Sequence, residues 1–124
     1  MRLAFALYAC LLFAGTHWPR LAIDMEIGRP DLVLHFLAFG TWAILFNLAA
    51  FFGPTLNKRT IVRGAVVALV YAAFDESTQL ITILHRHAGW ADFSANVGGI
   101  LSASCVLYFM AHRSQATGPP GRIP

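Results

Sequence analysis

Residues 60–84 read TIVRGAVVALVYAAFDESTQLITIL. The stretch is long enough to cross a bilayer, which takes about 20 apolar residues, yet it carries Asp75-Glu76-Ser77-Thr78-Gln79 inside it. How those five residues are read decides the fold. Asp75 and Glu76 lie nine and eight residues before Leu84, roughly 12–13 Å along a helix from its end. At that depth neither a capping role nor a place in a soluble core accounts for two adjacent acids. A carboxylate facing lipid costs at least about 2.5–3.5 kcal/mol at mid-span, so such groups turn inward and find partners. The pair therefore belongs to a functional site or to a buried structural network.

Outward from this stretch, the chain repeats the pattern of apolar block and polar connector. It has 124 residues, 57% hydrophobic and 12% charged, with a mean hydropathy of +0.61. Soluble chains are nearer 45–50% apolar and about 25% charged. A disordered protein is excluded, and an ordinary soluble domain is disfavoured. Segment one runs from Leu3 to Trp18; it reaches only roughly 24 Å and is thin for a span. Arg2 before it and Ala14-Gly15 within it also fit a signal peptide, but Trp18 suits an interfacial anchor and favours an uncleaved helix. Segment two follows Pro30, a helix-start signal, and runs from Asp31 to Phe52, with Gly53-Pro54 expected to end it. Segment three is residues 60–84, and segment four runs from Ala91 to Ala111. The expected fold is all-α, an integral membrane bundle of about four transmembrane helices. One helical domain should cover 1–112, and 113–124, with Gly118-Pro119-Pro120-Gly121, should form a disordered cytoplasmic tail.

Four spans place both termini and the middle connector on one side. That side collects Arg2, Lys58, Arg59, Arg63, Arg113 and Arg122, six of the nine basic residues; Arg20, Arg29 and Arg86 make up the other three. The six-residue side is expected to be cytoplasmic. All six carboxylates, Asp24, Glu26, Asp31, Asp75, Glu76 and Asp92, fall on the other side or in the outer half of a span. The basic residues are scattered, without the stripe that nucleic acid requires, so no nucleic-acid partner is expected. Cys10 and Cys105 sit in apolar runs and read as small hydrophobes, neither a disulfide framework nor a metal site.

Three segments carry polar pairs four residues apart near the outer level: Asp31 and His35, Asp75 and Gln79, Asp92 and Asn96. Residues spaced by four share a helix face. Thr78 and Thr82 extend the second pair, and His85, Arg86 and His87 lie in the outer connector. Asp31 and Asp92 also suit the first turn of a helix, where a carboxylate favours the dipole. Gln79 is within reach of Asp75 or Glu76. A candidate pocket thus comprises Asp31, His35, Asp75, Glu76, Gln79, Arg86, Asp92 and Asn96. In segment four, Ala95, Gly99 and Ala103, and also Ser94, Gly98 and Ser102, recur at four-residue spacing; small residues so spaced let helices approach closely. They read as packing that turns Asn96 inward.

The order Asp31-x-x-x-His35-Phe36, Asp75-Glu76-x-x-Gln79, Arg86, Asp92-x-x-x-Asn96-x-x-Gly99 resembles the VanZ-like membrane proteins. The resemblance covers about Asp31 to Ser102. It departs at Leu84-His85, where the family commonly has Pro-Gly, at Leu32, where a Lys is usual, and in a Gln-to-Arg stretch one residue longer. The family is named for a protein that raises resistance to teicoplanin. The resemblance implies a small multi-helix membrane bundle with a role in the bacterial cell envelope; it does not supply a reaction.

Three functions fit these residues. In the first, the pocket binds the headgroup of a membrane lipid, a lipid-linked glycan or a glycopeptide: carboxylates and amides bond hydroxyls, and Arg86 pairs with phosphate. In the second, a membrane enzyme uses Asp75 or Glu76 as acid or base, His35 as relay and Arg86 as electrostatic stabiliser. A divalent cation bridging Asp75, Glu76 and Asp92 belongs to that reading, although no motif supports it. In the third, the chain is a structural subunit of an envelope complex. The oligomeric state is open in all three.

Overall fold

The computed structural model describes residues 1–17, 30–79 and 89–116. Among the described residues the chain forms four helices, α1 (Arg2–His17), α2 (Pro30–Leu48), α3 (Lys58–Gln79) and α4 (Trp90–Ala116). α2 opens at Pro30 as expected, but it ends at Leu48, short of Phe52. Ala50 adopts a left-handed φ of 54°, and its N–H bonds back to the Asn47 carbonyl at 3.1 Å. That conformation closes a helix, so Gly53-Pro54 falls in the connector beyond. Asn57 then opens α3: its Oδ1 accepts the N–H of Arg59 at 2.9 Å and of Thr60 at 3.4 Å, as an N-cap does. α4 continues to Ala116, past the expected end at Ala111. The Arg113 guanidinium lies 4.6 Å from the centre of the Phe109 ring, and a cation–aromatic pair four residues apart favours the added turn.

The helices run up and down. At one end, Arg2 of α1 donates to the Ala49 carbonyl at 3.2 Å and the Ala50 carbonyl at 3.4 Å. It thereby satisfies the free carbonyls at the end of α2 and places a cation on the negative end of its dipole. At this same end Lys58 Nζ lies 5.4 Å from the Tyr108 ring centre. Tyr8 ties α1 to the middle of α2 through its hydroxyl, which donates to the Ala38 carbonyl at 2.8 Å. At the opposite end Thr16 meets Asp75, and His35 meets Asn96.

The tightest seam joins α2 to α4. A Cβ on Gly99 would run into the Phe36 carbonyl oxygen, and one on Gly40 would lie 3.2 Å from the Gly99 carbonyl oxygen. The backbones therefore touch where side chains would normally separate them. Of the two small-residue stripes, Gly99 and Ala103 are buried, while Ser94 and Ser102 are exposed. The core holds Phe39, Trp42, Ala68, Ala72 and Ile100. The Trp42 ring stacks between Phe46 and Tyr71, with centroids at 5.0 and 5.1 Å.

Beside this apolar core several polar side chains are buried and many large apolar ones are exposed. Thr16, Asn47, Asp75, Glu76, Gln79 and Asn96 are buried, while Leu3, Leu7 and Leu11 of α1 and Val62, Val66 and Val70 of α3 face outward. Cys10 and Cys105 are free and exposed. α2 and α4 are long and apolar enough to cross a membrane, and only 22% and 28% of their apolar stretches are buried. α1 is apolar but has 16 residues, and α3 has 22 residues with five charged side chains among them.

Candidate functional site

The polar cluster sits where α1 and α3 end and α2 and α4 begin. Its centre is Asp75, fully buried. Thr16 Oγ1 donates to Asp75 Oδ1 at 2.9 Å, and Gln79 Nε2 donates to Asp75 Oδ2 at 3.1 Å. His17 Nδ1 lies 3.7 Å from the same Oδ1, and its Nε2 lies 2.7 Å from Thr78 Oγ1. Both oxygens of the acid are thus engaged, as a buried carboxylate requires. The choice left open by sequence is resolved: Gln79 serves Asp75.

Glu76 points elsewhere, as adjacent helix residues must, roughly 100° apart around the axis. Its Oε1 accepts the Gly89 backbone N–H at 2.8 Å, which fastens the entry of α4 to the end of α3. Glu76 Oε2 is buried and has no hydrogen-bond partner among the described residues. Asp92 stands beside Gly89, on which an added Cβ would lie 3.2 Å from Asp92 Oδ2. Across the α2–α4 seam, His35 Nδ1 donates to Asn96 Oδ1 at 3.0 Å. Asn96 is fully buried, and its Nδ2 is also unpartnered among the described residues.

A groove of ≈ 330 Å³ leads to this cluster between α1 and α2. Gly15, Thr16, Asp31 and His35 line its polar part, and Leu11, Leu12 and Leu34 its apolar wall. Asp31, exposed in the first turn of α2, stands at the mouth and not in the interior.

Of the eight expected site residues, six are therefore placed together: His35, Asp75, Glu76, Gln79, Asp92 and Asn96. Asp31 borders them, and Arg86 lies outside the described residues, as do Thr82, His85, His87 and Trp18. Thr16 and His17 were missed. Both close segment one at the outer level, the level that the polar residues of the other three segments share, on a segment short enough to resemble a signal peptide. Among the described residues no three His, Cys, Asp or Glu side chains group as a metal site would need. The carboxylates are instead divided, Asp75 toward α1 and Glu76 toward Gly89. Chemically, Glu76 Oε2 and Asn96 Nδ2 are each open, among the described residues, to one further hydrogen bond, an acceptor and a donor of the kind that hydroxyl groups complement.

No family model, curated protein or solved structure matches this chain.

Proposed function

We propose that the chain is a VanZ-like integral membrane protein whose four helices all span the bacterial cytoplasmic membrane, with both termini cytoplasmic. Its outward-facing polar pocket binds the hydroxylated headgroup of an envelope lipid, a lipid-linked glycan or a glycopeptide. The observation that carries this reading is that Glu76 Oε2 and Asn96 Nδ2, both in the polar cluster, are buried and have no hydrogen-bond partner among the described residues. A buried polar group without a partner costs about 1–3 kcal/mol, and a ligand hydroxyl removes that cost. The outward apolar stripes and the inward polar cluster support the membrane setting, because bilayer hydrocarbon reverses the preference that water imposes. The separation of Asp75 from Glu76 by partner supports binding over catalysis by a paired-carboxylate centre. Through the family resemblance, the reading extends to teicoplanin-type resistance.

Native mass spectrometry of the detergent-purified chain tests the proposal. A co-purifying polyhydroxylated lipid is expected on the wild-type protein. Glu76→Gln and Asn96→Leu should each reduce its occupancy at least about tenfold, the equivalent of roughly 1.4 kcal/mol. Unchanged occupancy in both variants sinks the pocket.

A further inference from the structure

The opposite end of the molecule carries a second groove. A groove of ≈ 480 Å³ runs between α3 and α4, walled by Ala65, Val66, Leu69 and Leu101. Val62 and Tyr108 line it and also line an adjoining depression of ≈ 320 Å³, whose remaining walls are Lys58, Arg59 and Arg63. The two spaces meet at Val62 and Tyr108, an apolar slot beside a cationic depression. Arg59 and Arg63 are four residues apart, share a helix face and are exposed. Lys58 is held over the Tyr108 ring, which brings all three cations and a phenolic hydroxyl to one place. The described carboxylates, Asp31, Asp75, Glu76 and Asp92, all belong to the other end. Asp75 stands 12 residues along α3 from Arg63, about 18 Å away, so no acid at the depression competes for these cations among the described residues.

We propose that this groove binds an anionic phospholipid of the leaflet that faces the basic end, with one acyl chain in the α3–α4 slot and the phosphate on Lys58, Arg59 and Arg63. The slot matches a hydrocarbon chain in chemistry, and the depression matches a phosphodiester in charge. Basic pockets between helices on the cytoplasmic side recognise such headgroups. A second copy of the chain fits less well, since a two-fold contact sets the same patch against itself and would bring three cations against three. A zwitterionic lipid fills the slot but gains little at the depression. The inference rests on the membrane reading of the chain and is independent of the polar pocket.

The test uses the full chain in dodecyl maltoside, titrated by native mass spectrometry with dioleoyl phosphatidylglycerol, dioleoyl phosphatidylcholine or inorganic phosphate. Each basic residue near an anionic lipid surface strengthens attraction roughly fivefold, so phosphatidylglycerol should bind at least about tenfold tighter than phosphatidylcholine. The combined variant Lys58→Gln, Arg59→Gln, Arg63→Gln should erase that preference. Leu101→Trp, which fills the slot and keeps the depression, should weaken both lipids and serves if the triple variant does not fold. Cys105 lines the slot and reports its occupancy: in a Cys10→Ser background, phosphatidylglycerol should slow its alkylation by N-ethylmaleimide more than phosphatidylcholine does. Equal binding of the two lipids overturns the proposal. So does displacement of phosphatidylglycerol by millimolar phosphate, which marks a free-anion site, or Cys105–Cys105 cross-linking that the lipid leaves unchanged, which marks a face covered by a second copy. A chain that is monodisperse without detergent overturns the membrane reading itself and, with it, this site.

Discussion

Asp75 has no exposed surface, and its two oxygens accept from Thr16 and Gln79. Removing the charge and removing the hydrogen bonds are therefore separable. In Asp75→Asn, the amide oxygen still accepts from Gln79, and the new N–H₂ donates to Thr16 Oγ1, whose own proton turns to the Phe13 carbonyl, 3.1 Å away. The expected stability loss is under about 1 kcal/mol. Asp75→Ala leaves Thr16 and Gln79 without their acceptor in a buried place, and should cost about 2–5 kcal/mol. Thermal melting in detergent compares the two; equal losses mean that the charge itself holds the bundle. The sequence spacing pointed to Asp75 and Gln79 as one face, and the hydrogen bond between them bears that out. It gave no sign of Thr16, because a contact between residues 59 apart is made by helix packing and leaves no local periodicity.

At the scale of the element, α4 shows how a small residue acts. The Ala95, Gly99, Ala103 stripe and the Ser94, Gly98, Ser102 stripe looked equivalent as sequence. In the fold Gly99 lies against the backbone of α2 at Phe36 and Gly40, whereas Gly98 meets only the Phe36 ring at 3.4 Å and Ser102 faces outward. The difference arises because α4 offers one face to α2, and two stripes one residue apart cannot both be centred on it. Gly99→Leu should lower stability by at least about 3 kcal/mol, and even Gly99→Ala should be destabilising, since its Cβ alone strikes the Phe36 carbonyl oxygen. Ser102→Leu, on the outer face of the same helix, should stay within about 0.5 kcal/mol. Melting temperatures of the three variants check the ranking, and a Gly99→Leu protein as stable as Ser102→Leu would show that the seam does not form. The buried face of α3, Gly64, Ala68 and Ala72 running into Glu76, is a third small-residue stripe.

At the scale of the whole molecule, charge among the described residues is separated along the bundle axis. Arg2, Lys58, Arg59, Arg63 and Arg113 stand at one end, and the described carboxylates at the other. The up-and-down packing gathers the five described basic residues at one end. Two single-cysteine proteins test which end is cytoplasmic, each in a Cys10→Ser, Cys105→Ser background. Thr55→Cys, in the exposed α2–α3 connector, should resist a membrane-impermeant maleimide in intact cells and react after permeabilisation. Trp90→Cys, at the highly exposed start of α4, should react in intact cells. The reverse pattern inverts the orientation, and labelling of both from outside removes the spans between them.

The sequence by itself determined the helical class and, among the described residues, the four helices, the polar end they share and the gathering of basic side chains at the other end. These depend on composition and on spacing within one helix, where 3.6 residues per turn converts sequence directly into a face. Tertiary structure decided the pairings between helices: that α1 contributes Thr16 and His17, that Gln79 bonds Asp75, that Asp31 stays at the rim, and that Glu76 Oε2 and Asn96 Nδ2 find no partner among the described residues. It also decided where α2 stops, since Ala50 takes a left-handed turn that glycine favours and alanine adopts here against its local preference. The physical reason is the same in each case. A residue's periodicity belongs to its own helix, whereas its partner is chosen by how two helices cross, and that crossing is set by close backbone contacts such as Gly40 with Gly99 that couple positions far apart in the chain.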